Sequence, residues 1–443
     1  MLMLMLLLIV VHALGMDCDY ISELPDSLLT QILLNLPTKD SVKTSVLSKR
    51  WRNLWLNVPG LDLGSLQFPN PYEEGFTRFM DRFMEFNCGS HLQKFKIQYT
   101  GKQDQLMELI CTVVDRGIQH LDVCYYSLRY GFMRENIYKS KTLVSLKLFN
   151  LELKKPEFVA SLPCLKIMHL GRVCRGEDGP LVVEKLISGC PALEYLKLIR
   201  PFDISSQKVL LFLRVSSQTL KSLGLYYAFN KGDTDFSVEI DAPRLKYMIV
   251  KESQSDNIVV KNLSSLFMIN IRTKCYQLRP EDFNILCGFL TGISRVRHMI
   301  IDLSRVERLY PNYNFGPIPK FLNLYYLNVE VSRSSLQLLP AFLESSPNLK
   351  TLILDFRGSS KLGQIDFTNL HRCLISTLEY VEIKKGMIRD ETGVKLVNYF
   401  LENSAILKKL TLSFTDSSSL ELESCKKLLT STKLSPTCQV IIV

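Results

Sequence analysis

Residues 188–198 read Ser-Gly-Cys-Pro-Ala-Leu-Glu-Tyr-Leu-Lys-Leu, and the last six, LEYLKL, set the fold. An apolar residue is followed by two variable ones, then by an apolar–variable–apolar triplet. The triplet alternates as a half-buried strand does, and the proline ahead of it ends any preceding helix. The same hexamer returns along the chain: LQKFKI at 92, IQHLDV at 118, LVSLKL at 143 and LKIMHL at 165 come before it. LKSLGL at 220, LKYMIV at 245, LFMINI at 266 and VRHMII at 296 follow it. The series ends with LYYLNV at 324, LKTLIL at 349, LEYVEI at 378 and LKKLTL at 407. Successive copies start 21 to 30 residues apart, the period of a leucine-rich-repeat solenoid. The expected fold class is α/β: short parallel strands stacked repeat on repeat, with irregular or helical segments closing each coil.

In such a strand the fourth and sixth hexamer positions face the core, and the third and fifth face the opposite, concave side. Outward positions include Lys147, His169 and Glu382, together with the candidate substrate contacts Tyr195, Lys197, Tyr247, Tyr326, Asn328 and Tyr380. Tyrosine recurs at the third position, and tyrosine is a frequent interface anchor.

Ahead of the repeats, residues 20–63 read YISELPDSLLTQILLNLPTKDSVKTSVLSKRWRNLWLNVPGLDL. Pro25 suits a first helical turn. Leu28, Ile32 and Leu36 recur every four residues, with Leu29 and Leu33 beside them. Pro37 stops this helix. Thr38 or Asp40 can cap a second, carrying Val42, Val46 and Leu47, and Ser48 a third, with Trp51, Leu54 and Trp55 on one side. Pro59 and Gly60 then end the module. A helical segment this short has little core of its own, so periodicity leaves open a cap on the repeats or a partner-binding module.

The run Leu-Pro-Asp, Leu-Leu, Ile-Leu, Leu-Pro, Lys-Asp-Ser-Val and Val-Leu-Ser-Lys-Arg-Trp-Arg-Asn-Leu-Trp resembles an F-box of the plant type. That resemblance implies docking to a Skp-family adaptor, and through it a cullin, by Leu24, Pro25, Ile32, Leu33, Leu36, Val46 and Trp51, with Trp55 as a further contact. Lys39, Lys43, Lys49, Arg50 and Arg52 would tune the rate of encounter. Residues 371–414, HRCLISTLEYVEIKKGMIRDETGVKLVNYFLENSAILKKLTLSF, resemble the FBD domain that follows repeats in plant F-box proteins. Read from the residues alone, this is one more repeat, with a helix burying Val394, Val397, Phe400 and Leu401, then a helix near Leu420 to Leu429 and a last strand at Gln439 to Val443. The chain is thus identified as a member of the plant F-box/FBD/LRR-repeat family. The implied organisation is an apolar extension at 1–15, F-box at 17–63, connector at 64–90, leucine-rich repeats at 91–365 and FBD domain at 366–443. Within the connector, GFTRFMDRFMEF reads as a helix able to seal the first repeat.

Charge and cysteines bound the alternatives. The net charge of +10 is spread over 54 basic and 44 acidic residues. No clustered basic run with interleaved aromatics is visible, so a nucleic-acid partner is not expected. The twelve cysteines form no CxxC pair, which disfavours a zinc ribbon and suits a reducing compartment. The six histidines fall in no HExxH, and there is no Walker loop and no GxGxxG. No catalytic, metal or cofactor site is expected. The expected role is a non-catalytic substrate receptor of a ubiquitin ligase, recruiting a protein substrate in the cytoplasm or the nucleus, with no membrane partner. Met1 to Leu14 is almost wholly apolar, but it lacks a basic n-region, since no Lys or Arg precedes Lys39, and it is short for a membrane span. It keeps a second reading in play: a secreted or membrane-associated repeat receptor, which would be cleaved near Gly15 and carry disulfides.

Overall fold

The computed structural model describes residues 21, 23–68, 74–86, 92–126, 131–153, 159–173, 179–199, 211–226, 236–252, 257–273, 287–303, 318–332, 335–356, 370–384, 391–413 and 432–443. The apolar start and the helix expected near 420–429 lie outside them. The chain divides into two compact units, Met1–Leu193 and Glu194–Val443.

In the first unit, α1 (Asp26–Leu33) and α2 (Thr38–Lys43) are followed by short 3-10 turns at Thr44–Val46 and Trp51–Asn57. Neither the second nor the third helical segment is capped by the side chain expected from the sequence. Thr38 instead receives the Asp62 amide on Oγ1 at 2.8 Å. Leu29, Leu33, Trp51, Leu54 and Val58 form the module's core.

The module does not end at Pro59 and Gly60. Gly60–Gly64, here β1, pairs in parallel with Lys94–Tyr99, the strand of the first hexamer. Gly60 stands opposite Lys94, so VPGLDL at 58–63 is itself a repeat hexamer in register. Gly60 fits closely there, because a Cβ would push against Leu34 Cδ1 and oblige that side chain to move. The ladder continues through His120–Tyr125, Ser145–Phe149 and Ile167–Gly171. A helix at Glu74–Phe86 buries Phe76, Met80 and Phe83, and Phe76 packs 5.5 Å from Tyr99 at the end of the first hexamer strand. This agrees with its expected sealing role.

Among the described residues, the main ladder of the second unit holds ten parallel strands, from Tyr195–Ile199 to Gln439–Ile442. Every hexamer named above forms a strand in one ladder or the other. The fourth-position residues Leu223, Ile269, Met299, Leu327, Leu352 and Leu410 are buried to within 0% exposure, each worth about 1.5–3 kcal/mol of apolar transfer. The leading leucine of most hexamers closes a tight turn, as when the Leu193 amide donates to the Cys190 carbonyl and Leu349 to Ser346. That turn lets the proline-containing approach enter the strand.

The coils return in two ways. Helices at Gln103–Asp115, Gly179–Ser188, Leu339–Ser345 and Glu391–Asn403 follow the expectation. Between 211 and 262 the return segments are instead strands, Leu211–Ser216, Phe236–Asp241 and Asn257–Asn262, in a second parallel sheet. The alternation of buried Leu213, Val215, Val238 and Ile240 with exposed or half-buried neighbours accounts for this. In the helix at Glu391–Asn403, Val397, Phe400 and Leu401 are buried as expected, with Leu396 and Tyr399. Val394 is only half-buried.

Candidate functional site

Two surfaces are candidates for binding. The first is the helical module. Helix α1 carries two apolar stripes one residue apart. Leu29 and Leu33 turn into the core, while Leu28, at 50% exposure, stays outside and Ile32 is half-buried. After α2 the chain presents Val46 at 87% exposure and Leu47 at 54%. Leu29, Leu33, Trp51 and Leu54 fill the core, and exposed large apolars on so small a module make it a candidate interaction surface.

Of the residues expected to contact an adaptor, Pro25 and Val46 are exposed, and Leu24, Ile32, Leu36 and Trp55 are half-buried. Trp55 lines a seam with Leu36, Val58 and Phe83. Leu33 and Trp51, at 0% and 3% exposure, lie in the module's core. Leu28, Val42 and Leu47 are exposed apolars that the expected set left out. The basic residues are partly engaged. Arg50 reaches Asp26 Oδ1 at 2.7 Å and the Leu24 carbonyl, pinning the start of α1 to the turn before Trp51. Lys43 pairs with Asp40 at 2.9 Å, and that lysine holds the Asp40 carboxyl below its ordinary value.

The second surface is the outward side of the strands. In the first unit the fifth-position row runs Asp62, Lys96, Asp122, Lys147, with alternating charge. Lys96 reaches Asp62 at 3.2 Å. Burial raises the Asp122 carboxyl, and Lys147 and Lys96 oppose the rise. This row largely neutralises itself.

In the second unit the third-position row runs Tyr195, Ser222, Tyr247, Met268, His298, Tyr326, Thr351, Tyr380. Tyr195, Tyr247 and Tyr380 are more than 40% exposed. Tyr326 is half-buried and stacks on His298 at 5.0 Å, and Asn328 keeps its Oδ1 buried without a hydrogen bond. Lys197 lies 4.7 Å over the Tyr226 ring. His298 is the residue that spacing did not single out. It sits among Phe267, Tyr325 and Tyr326 at 4.6 to 5.0 Å, and burial lowers its pKa.

Among the described residues no His, Cys, Asp and Glu grouping could hold a metal ion, and no helix is long and apolar enough to cross a membrane. The seven described cysteines are free. Burial pushes the Cys190 thiol up to about 12 and the Cys373 thiol to about 11, which suits packing rather than nucleophilic chemistry.

A short helical module with exposed apolar side chains, continued by a leucine-rich-repeat ladder, is the build of an F-box protein of the substrate-receptor type. Family models agree along the chain. The F-box domain matches residues 21–62, the model described as "FBD-associated F-box protein At5g56370, LRR repeats" matches 106–271, and FBD matches 368–412. In Arabidopsis thaliana, F-box/FBD/LRR-repeat protein At5g44980 is 67% identical over 96% of this chain and 99% of its own length. Putative F-box/FBD/LRR-repeat protein At5g44960 is 65% identical over 96% and 100%. F-box/FBD/LRR-repeat protein At2g26030 is 52% identical over 97% and 100%. The chain belongs to the F-box/FBD/LRR-repeat protein family. F-box domains generally bind Skp-family adaptors.

Proposed function

We propose that this chain is the substrate-receptor subunit of a Skp–cullin–F-box ubiquitin ligase, acting in the cytoplasm or nucleus. Its helical module grips the adaptor, its repeats recruit a protein for ubiquitination, and the FBD segment closes the array. It performs no catalysis itself. The observation that carries this reading is the division of labour in α1 and the turns after it. Leu29, Leu33, Trp51 and Leu54 hold the module together, which frees Leu28, Val46 and Leu47 for a partner. A few apolar anchors of about 2 kcal/mol each dominate interfaces of this kind. The free cysteines among the described residues suit a reducing compartment.

The test is a pull-down of the full chain, wild type against Leu28→Asp/Val46→Asp, probed for the adaptor and the cullin. Both positions are exposed, so the variant is expected to keep its fold by circular dichroism. Recovery of both partners by wild type alone supports the ligase role. If neither form recovers them, the ligase reading fails, and a secreted or membrane-associated repeat receptor, cleaved near Gly15, takes its place.

A further inference from the structure

The strands of Glu194–Val443 are preceded by a row of side chains that no single repeat displays. From the hexamer at 220 onward the second residue sits just ahead of the strand, and its amide donates to the carbonyl of the corresponding residue one repeat earlier. Phe267 donates to Lys246 at 3.0 Å, Arg297 to Phe267 at 3.1 Å, Tyr325 to Arg297 at 3.1 Å and Lys350 to Tyr325 at 2.9 Å. The five residues therefore stand one per strand, about 4.8 Å apart. Read along the edge they alternate: cation, ring, cation, ring, cation.

The charges on this edge are not neutralised. Lys246, Arg297 and Lys350 are exposed, and none has a carboxylate at ion-pair distance among the described residues. The two acids in the same row are engaged by the lysines next to them, Glu194 by Lys221 at 3.0 Å and Glu379 by Lys408 at 2.7 Å. Lys350 adds to the field that keeps the Glu379 carboxyl low, after Lys408. Unlike the Asp62–Lys96–Asp122–Lys147 row of the first unit, this edge carries surplus positive charge.

The rings between the cations, Phe267 and Tyr325, are half-buried, and both pack on His298. Phe267 lies 4.7 Å from His298, and His298 lies 4.6 Å from Tyr325 in an edge-on arrangement and 5.0 Å from Tyr326 in a stacked one. A cluster packed this way offers apolar ridges. It does not offer the free ring faces on which single-stranded bases stack.

We propose that this edge binds an extended acidic segment of a partner polypeptide, with carboxylates on Lys246, Arg297 and Lys350 and apolar side chains over Phe267 and Tyr325. The spacing defines the segment further. Successive cations are two strands apart, about 10 Å. A polyproline II chain rises about 3.1 Å per residue with three residues per turn, so every third side chain shares a face at about 9 Å intervals. An acidic residue at every third position therefore matches the edge. Arg297 can take its carboxylate bidentately. This inference rests on the receptor reading and names the class of substrate it would recruit.

Fluorescence anisotropy of the full chain tests it. The probe is a fluorescein-labelled synthetic peptide with glutamate at every third position and proline and leucine between. A second peptide has the same composition with its glutamates clustered at one end, and labelled oligouridylate represents nucleic acid. The expected result is binding of the spaced peptide, weaker binding of the clustered one, and a loss of about tenfold or more in Lys246→Glu/Arg297→Glu/Lys350→Glu. Lys102→Glu, an exposed position in the first unit, should bind like wild type. Equal affinity of the triple variant, no binding of the spaced peptide, or tighter binding of oligouridylate overturns the proposal. Adaptor recovery by the triple variant separates the two readings: if it persists, a failure here concerns only the edge.

Discussion

The helical module of residues 26–57 and the ladder of residues 195–442 bury their leucines by opposite strategies. The module draws its core from residues close in sequence: Leu29, Leu33, Trp51, Leu54 and Val58 meet in one cluster. The ladder draws its core from one or two positions in each of many strands, such as Leu327, Leu352 and Val381, whose backbones pair in register. A single small cluster should fail as a whole. A stack in which each rung contacts its neighbours should fail locally.

Trp51→Ala should show the larger effect. It is expected to cost about 3–5 kcal/mol, enough to open a module of this size. Limited proteolysis should then cut between Asp26 and Val58 while the strands beyond stay protected. Protection equal to wild type across the module would mean the cluster does not organise it. Leu352→Ala should cost about 2–5 kcal/mol by the same cavity argument, yet its effect should stay near Tyr326–Val331 and Tyr380–Lys384. Amide hydrogen exchange reads this directly, and uniform loss of protection from 195 to 442 would break the contrast by showing the ladder to be one cooperative block.

The smallest effect concerns pH. His298 and His371 both have pKa values lowered by burial, His371 with partial opposition from Glu344. A histidine lowered in the folded state contributes stability above its unfolded value of 6.5 and loses it as pH falls through the lowered value. The melting temperature should therefore fall modestly below about pH 6.5, and His298→Phe should reduce that slope. An unchanged slope would remove His298 from the account.

What could be read from the sequence follows the same division. Each hexamer is a local pattern, so every copy named from spacing became a strand. β1 escaped notice because Pro59 and Gly60 read as a stop, although VPGLDL carries the same apolar spacing and pairs in register with the first hexamer. Helix α1 offers two apolar stripes, and periodicity cannot say which turns inward. The F-box resemblance, not periodicity, named Leu33 and Trp51 as adaptor contacts, and both lie in the module's core. The basic and aromatic edge was invisible for a different reason. Lys246, Phe267, Arg297, Tyr325 and Lys350 are 21 to 30 residues apart, and only strand register makes them neighbours.

β1 also sets how force passes through the first unit. A flexible linker would let the helices swivel against the strands, but here the last segment of the module is the first rung of the sheet. Asp62 ties that rung back to Thr38, and Lys94 and Lys96 of the next strand lie 3.7 and 3.2 Å from the Asp62 carboxylate. The joint has the stiffness of a pleated ribbon rather than the slack of a tether. A partner gripped by the helices is held at a set angle to the opening strands, like a blade riveted to its handle.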